Sequence, residues 1–96
     1  MDERDIAKGF LFARNCNPKY LGYYYAQEVL SYLMKHKLPA GKVMLRSVAD
    51  KFNTSAENVN RCVRTFIDVS WNYFEFFKTK PTCKEFFAMC VEYLRS

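Results

Sequence analysis

A chain of 96 residues allows one domain, and this one can bury a real core: it is 50% hydrophobic and 18% aromatic, with nine Phe, seven Tyr and one Trp. Only three Gly and three Pro argue against a loop-rich or all-β plan, and no apolar run approaches the roughly 20 residues that span a bilayer. The net charge of +5 points weakly to an acidic partner, and the polar start "MDERDIAKGF" is no signal peptide, so a soluble, cytoplasmic chain is expected.

Period-two alternation of β-branched residues is missing, which predicts an all-α fold. We expect a compact bundle of five to six helices forming a single domain over residues 1–96. The first helix is predicted over 2–14, with Ile6, Phe10 and Ala13 roughly on one side. Asn17 and Pro18 then give a start signal, Asn as cap and Pro at the first helical position. The second helix carries Leu21, Tyr25, Val29, Tyr32 and Leu33 at spacings of three and four, and stops near "HKLPAG". Its "GYYYAQ" reads as core packing with tyrosine hydroxyls reaching water.

A short third helix is expected over 43–52, and a fourth after Thr54. Thr54 and Glu57 have the T-x-x-E spacing of a capping box, in which each side chain satisfies the other's free backbone donor. Val59, Val63, Phe66, Ile67, Ser70 and Phe74 continue at helical spacing until "KTKP" ends this long helix. Thr82 and Glu85 repeat the box and open the last helix, whose stripe is Phe86, Cys90, Val91 and Leu94. Phe87, Met89 and Tyr93 widen that stripe beyond one face. A helix so patterned is clasped from two sides or partly buried against another chain.

The segment "VADKFNTSAENVNRCVRTF" has the register of a helix-turn-helix. Such a motif needs a small residue where its helices cross, and Ala49 supplies one. Val48 and Phe52 then face inward from the first helix, Val59 and Cys62 from the second. Asn53 falls in the turn, where Asn accepts positive φ. Thr54 stands where an apolar turn residue is common. The same register turns Ser55, Ala56, Glu57, Asn60, Arg61 and Arg64 outward on the half-helix that enters a major groove, with Asn58 bordering them. The base-reading candidates are therefore Ser55, Glu57, Asn58, Asn60, Arg61 and Arg64, since Asn can bond adenine and Arg guanine through two hydrogen bonds. Arg46, Lys51, Lys78, Lys80 and Lys84 are the candidates for holding phosphates.

Other chemistries find little to work with. The cysteines at 16, 62, 83 and 90 lack the close pairs of a zinc site, and the one histidine, His36, cannot complete a set. No metal or other cofactor is expected, and free, buried thiols are the plain reading. Without paired carboxylates or a glycine-rich phosphate loop, neither an enzyme nor a small-molecule substrate is expected. Cys16, near Arg14 and Lys19, is the thiol where cations could favour the thiolate.

The blocks "GYYYAQEVL", "VADKFNTSAENVNRCVRTFIDVSW" and "KPTCKEFFAMCVEYLR" occur in an order that resembles the C-terminal, DNA-binding effector domain of the master sporulation response regulator, stage zero sporulation protein A. The similarity runs over roughly residues 6–95. It implies a transcription regulator whose helix-turn-helix binds promoter DNA, with double-stranded DNA as partner, and RNA polymerase and a second copy of the chain as further ones. Arg61 and Arg64 match arginines that the family uses on DNA. Asn58 and Asn60 depart from it, because the family typically has arginine and glutamate there, which implies a different or relaxed target sequence. Two more departures stand out. No receiver domain accompanies the blocks, which suggests either a domain cut from a longer protein or a stand-alone relative, with Met1 before a plausible first helix leaning to the latter, and the segment after the recognition helix is reduced to "NYFEFFKTKPT". In the family that region is associated with activating RNA polymerase. The expected function is thus sequence-specific DNA binding. The alternative is a protein-interaction module that pairs with a related regulator or the transcription machinery and has lost specific DNA reading.

Overall fold

Asp2 opens the first helix: its carboxylate accepts the backbone N–H of Asp5 at 2.9 Å, and Glu3 and Asp5 place negative charge in the first turn. The computed structural model describes residues 2–36 and 42–95. They form α1 (Glu3–Ala13), α2 (Leu21–His36), α3 (Lys42–Lys51), α4 (Ala56–Ser70), a 3-10 turn over Trp71–Tyr73, and α5 (Cys83–Arg95). The expected all-α bundle is what the chain builds, and no described helix is long and apolar enough to cross a membrane. Most of the expected stop at "HKLPAG" lies outside the described residues, with α2 helical through His36.

Asparagine ends two of these helices in the same way. After α1, Asn15 adopts φ 61° while Cys16 N–H reaches the carbonyl of Leu11 at 3.3 Å and Asn15 N–H that of Phe12 at 3.0 Å. After α3, Asn53 adopts φ 54°, and Thr54 N–H bonds the carbonyl of Ala49 at 2.9 Å. Both are left-handed caps that satisfy carbonyls a helix end leaves open, and Asn tolerates the conformation because its short polar side chain clashes least.

The start of α2 differs from expectation. Asn17 does not cap a helix beginning at Pro18. Its side-chain oxygen accepts Lys19 N–H at 2.9 Å and its carbonyl accepts Tyr20 N–H at 3.3 Å, which closes a tight turn, and the helix begins at Leu21. Local side-chain bonding has won over helix propagation here.

Helix α2 is the hub, in contact with α1, α3, α4 and α5. That position explains its apolar pattern, with Tyr23, Tyr25, Ala26, Val29, Leu30 and Leu33 all buried and Tyr24 facing water. At Gly22 it meets α4 backbone to backbone. A Cβ there would stand 2.2 Å from the Cys62 carbonyl oxygen and 2.7 Å from Phe66 Cβ. One charged side chain enters this interior. Glu28 is nearly buried and accepts Arg4 on one oxygen and Lys51 Nζ, at 2.8 Å, on the other, tying α1 and the end of α3 to α2.

The fourth helix is shorter than its stripe suggests. It stops at Ser70, passes through the 3-10 turn, and leaves Phe74 extended at φ −94°, ψ 121°. The break turns the chain back so that Phe74 meets Phe10 and Phe86, ring centres at 5.6 and 5.2 Å, and Phe77 stacks on Phe86 at 5.6 Å. Burying these rings outweighs a further turn of helix.

The box at Thr82 forms as expected. Thr82 N–H donates to Glu85 Oε1 at 2.9 Å and Glu85 N–H to Thr82 Oγ1 at 3.2 Å. The Thr82 backbone N–H first, and then the Thr82 hydroxyl, hold the Glu85 carboxyl below its usual pKa. The box therefore stabilises fully above the ordinary glutamate range and weakens as pH falls through the lowered value. Thr82→Ala should cost about 1 kcal/mol in a urea titration at neutral pH, less in acid. Beyond the box, α5 buries Phe86, Phe87, Cys90 and Val91. Phe87 is covered by its own chain, so it does not belong to a spare face. Tyr93 packs on Phe76 and Phe10, centres at 5.1 and 5.8 Å, with the Arg14 guanidinium 4.9 Å from its ring.

Candidate nucleic-acid interface

Val48 and Ala49 on α3 and Val59 and Val63 on α4 are buried against one another's helices and the α2 hub, and Cys62 is half-buried beside them. With Asn53 left-handed between them, α3, the turn and α4 have a geometry consistent with a helix-turn-helix. Phe52 departs from its inward assignment: it is 37% exposed and rests edge-on against Tyr25, ring centres 5.0 Å apart.

The cap of α4 also departs from expectation by one residue. Ser55, not Thr54, is the cap: its Oγ accepts Asn58 N–H at 3.1 Å. The reciprocal box with Glu57 does not form, because Glu57 then lies one place too early to reach back. Thr54 instead accepts a hydrogen bond from the Asn58 side-chain amide at 2.9 Å.

All six base-reading candidates line one open depression of about 590 Å³ along α4: Ser55, Glu57, Asn58, Asn60, Arg61 and Arg64. Thr65 and Asp68 extend it by a further turn. Those two escaped the sequence reading, which stopped at the first half of the helix. The signal was there, since each lies four residues beyond one of the arginines. Ala56 goes the other way, half-buried against the core rather than outward.

Charge on this face is held in a specific way. Arg61 and Arg64 are both exposed. Arg61 donates Nη2–H to Asn58 Oδ1 at 2.7 Å, a neutral partner that leaves its charge uncancelled. Arg64 has no ion pair among the described residues. Asp68, four residues on, is the carboxylate that helical spacing would offer it. Lys80 pairs with Asp68 instead.

The phosphate candidates separate into two groups. Arg46, Lys78 and Lys84 are exposed and without an ion pair among the described residues. Lys51 and Lys80 already hold carboxylates, those of Glu28 and Asp68.

Three of the thiols are held in the neutral form by burial. Burial pushes Cys16 up to about 11, against the pull of Arg14 and a hydrogen bond with Ser70. Burial raises Cys83 and Cys90 as well, and all four cysteines are free. Among the described residues no three His, Cys, Asp or Glu side chains come together as a metal set.

Comparison with known families matches residues 9–94 to the model described as "Sporulation initiation factor Spo0A C terminal". That match covers nearly the whole chain and includes α2, α3, the turn, α4 and α5. The family is one of DNA-binding regulatory domains and not of enzymes. With an all-helical bundle and an arginine-bearing helix on its surface, the chain belongs to the sporulation initiation factor C-terminal family of transcription-factor DNA-binding domains.

Proposed function

We propose that the chain binds double-stranded DNA in a sequence-specific way, as the DNA-reading part of a transcription regulator, with α4 as the helix that enters the major groove. The observation that carries this reading is the joint exposure of Arg61 and Arg64 on one face of a helix whose opposite face is locked into the core. In this reading Glu57, Asn60, Arg61 and Arg64 meet base edges, while Ser55 caps the helix from the same face. Arg46, Lys78 and Lys84 hold phosphates. Lys51 and Lys80 reach phosphate only by giving up their carboxylates, so they contribute less. A single helix covers few base pairs, which favours two copies on paired half-sites.

Selection from random duplexes followed by a salt titration of the winner tests the proposal. The selected duplex should bind at least about 10³-fold tighter than random sequence. Three phosphate-holding cations predict a slope of log K against log salt of about −3 per copy. Lys84→Ala should weaken all sequences alike and flatten that slope by about one. Equal, weak binding to selected and random duplexes would sink the reading.

A further inference from the structure

We propose that Asn58 is a positioning residue, which holds Arg61 ready for its base and does not read one itself; the inference rests on α4 being the reading helix. Three contacts carry it. Asn58 is half-buried and donates from Nδ2 to Thr54 Oγ1 at 2.9 Å. Its Oδ1 accepts Nη2–H of Arg61 at 2.7 Å and, more weakly, the Cys62 thiol at 3.8 Å. Arginine can only donate, so the amide must turn its oxygen to Arg61 and its nitrogen to Thr54. One amide hydrogen of Asn58 and both acceptor sites of its oxygen are thereby spent on its own chain, so its nitrogen and oxygen are not free together. A bidentate grip on adenine needs both of them at once.

Arg61 loses less. A guanidinium carries five N–H groups, arranged as a fork between Nη1 and Nη2 and a second between Nε and Nη2. Each fork uses a different hydrogen of Nη2. Whichever one Asn58 accepts, the other fork remains whole, and one fork is what a guanine edge requires. The long side chain is thus restrained before DNA arrives, which lowers the ordering cost of binding. The restraint leads back through Thr54 into the turn, so the geometry of the turn is transmitted to the reading arginine.

The test uses the full chain, the duplex selected by the wild type, and that duplex with single base-pair changes. Asn58→Ala, Arg61→Ala and the double variant are compared by fluorescence anisotropy. Asn58→Ala should weaken binding roughly tenfold and flatten preference at the same base pair that Arg61→Ala flattens. The double variant should bind no worse than Arg61→Ala alone. Losses that multiply, or a different base pair relaxed by Asn58→Ala, would show that Asn58 reads its own base. Uniform weakening on every duplex with a lowered Tm would reduce Asn58 to fold support. A second arm needs no DNA. The Arg61 Nε–Hε NMR signal should be ordered in the wild type and more mobile in Asn58→Ala, and equal mobility overturns the proposal. A wild type that prefers no duplex at all ends the parent reading as well, and this appears before any variant is made.

Discussion

Gly22→Ala lowers the unfolding free energy by about 3 kcal/mol, the upper end for an inserted methyl group, and shifts the urea midpoint to lower concentration accordingly. The size follows from what the methyl would meet. At 2.2 Å from the Cys62 carbonyl oxygen and 2.7 Å from Phe66 Cβ, it confronts helix backbone and the root of a buried ring. Neither can swing aside as the end of a flexible side chain would. The helices α2 and α4 must separate, and with them the fully buried contacts of Val63, Phe66 and Ile67 loosen. A domain of this size has only about 5–15 kcal/mol in hand, so the loss is a large share of it. Gly9 is the internal control: a Cβ there meets no neighbouring atom within 4 Å, and Gly9→Ala should be neutral or slightly stabilising within α1. Equal stability for the two variants would mean that the α2–α4 crossing is looser than the structure has it.

Gly22 also marks where sequence reading runs out. The helices themselves were legible because their signals are local: the apolar stripe of α4, Asn53 in the turn, and Thr82 with Glu85 at the start of α5 all act within four residues. Close approach of two backbones is not local. Cys62 and Phe66 lie some forty residues from Gly22, and a glycine at the start of "GYYYAQ" carries no mark of its partner. Glu28 is the same case, a carboxylate drawn inside by Arg4 and Lys51 that reads in isolation as ordinary surface of an amphipathic helix. Even the local cap of α4 was ambiguous, since Thr54 and Ser55 are adjacent and either can cap. Tertiary geometry chose Ser55 and released Thr54 to hold Asn58.

For the candidate site the division is similar. The face of α4 was legible, because a periodic stripe that buries Val59, Val63, Phe66 and Ile67 leaves Asn60, Arg61 and Arg64 on the other side. What each charge is paired with was not. Lys51 and Lys80 look like Lys78 and Lys84 in sequence, yet among the described residues two hold carboxylates and two do not. Under the proposed function, Lys80 would matter through this pairing. By neutralising Asp68 it removes the nearest helical carboxylate from Arg64, which then presents its full charge to the depression it lines.

The largest functional effect is therefore expected from the two arginines together. Each of Arg61→Ala and Arg64→Ala should cost about 1–3 kcal/mol of binding to the selected duplex, and relax preference at its own base pair. The two guanidinium groups have no common hydrogen-bond partner among the described residues, so the losses should add to roughly 30-fold to 2 × 10⁴-fold in the double variant. Non-specific binding, carried by phosphate contacts, should fall far less. Stability should barely move, because both side chains are exposed and neither is part of an ion pair among the described residues. Lysine replacements separate charge from geometry. Arg64→Lys keeps the positive charge but lacks the planar fork, so it should retain affinity for random DNA while losing most of the discrimination. Full discrimination retained in Arg64→Lys would assign Arg64 to a phosphate rather than to a base.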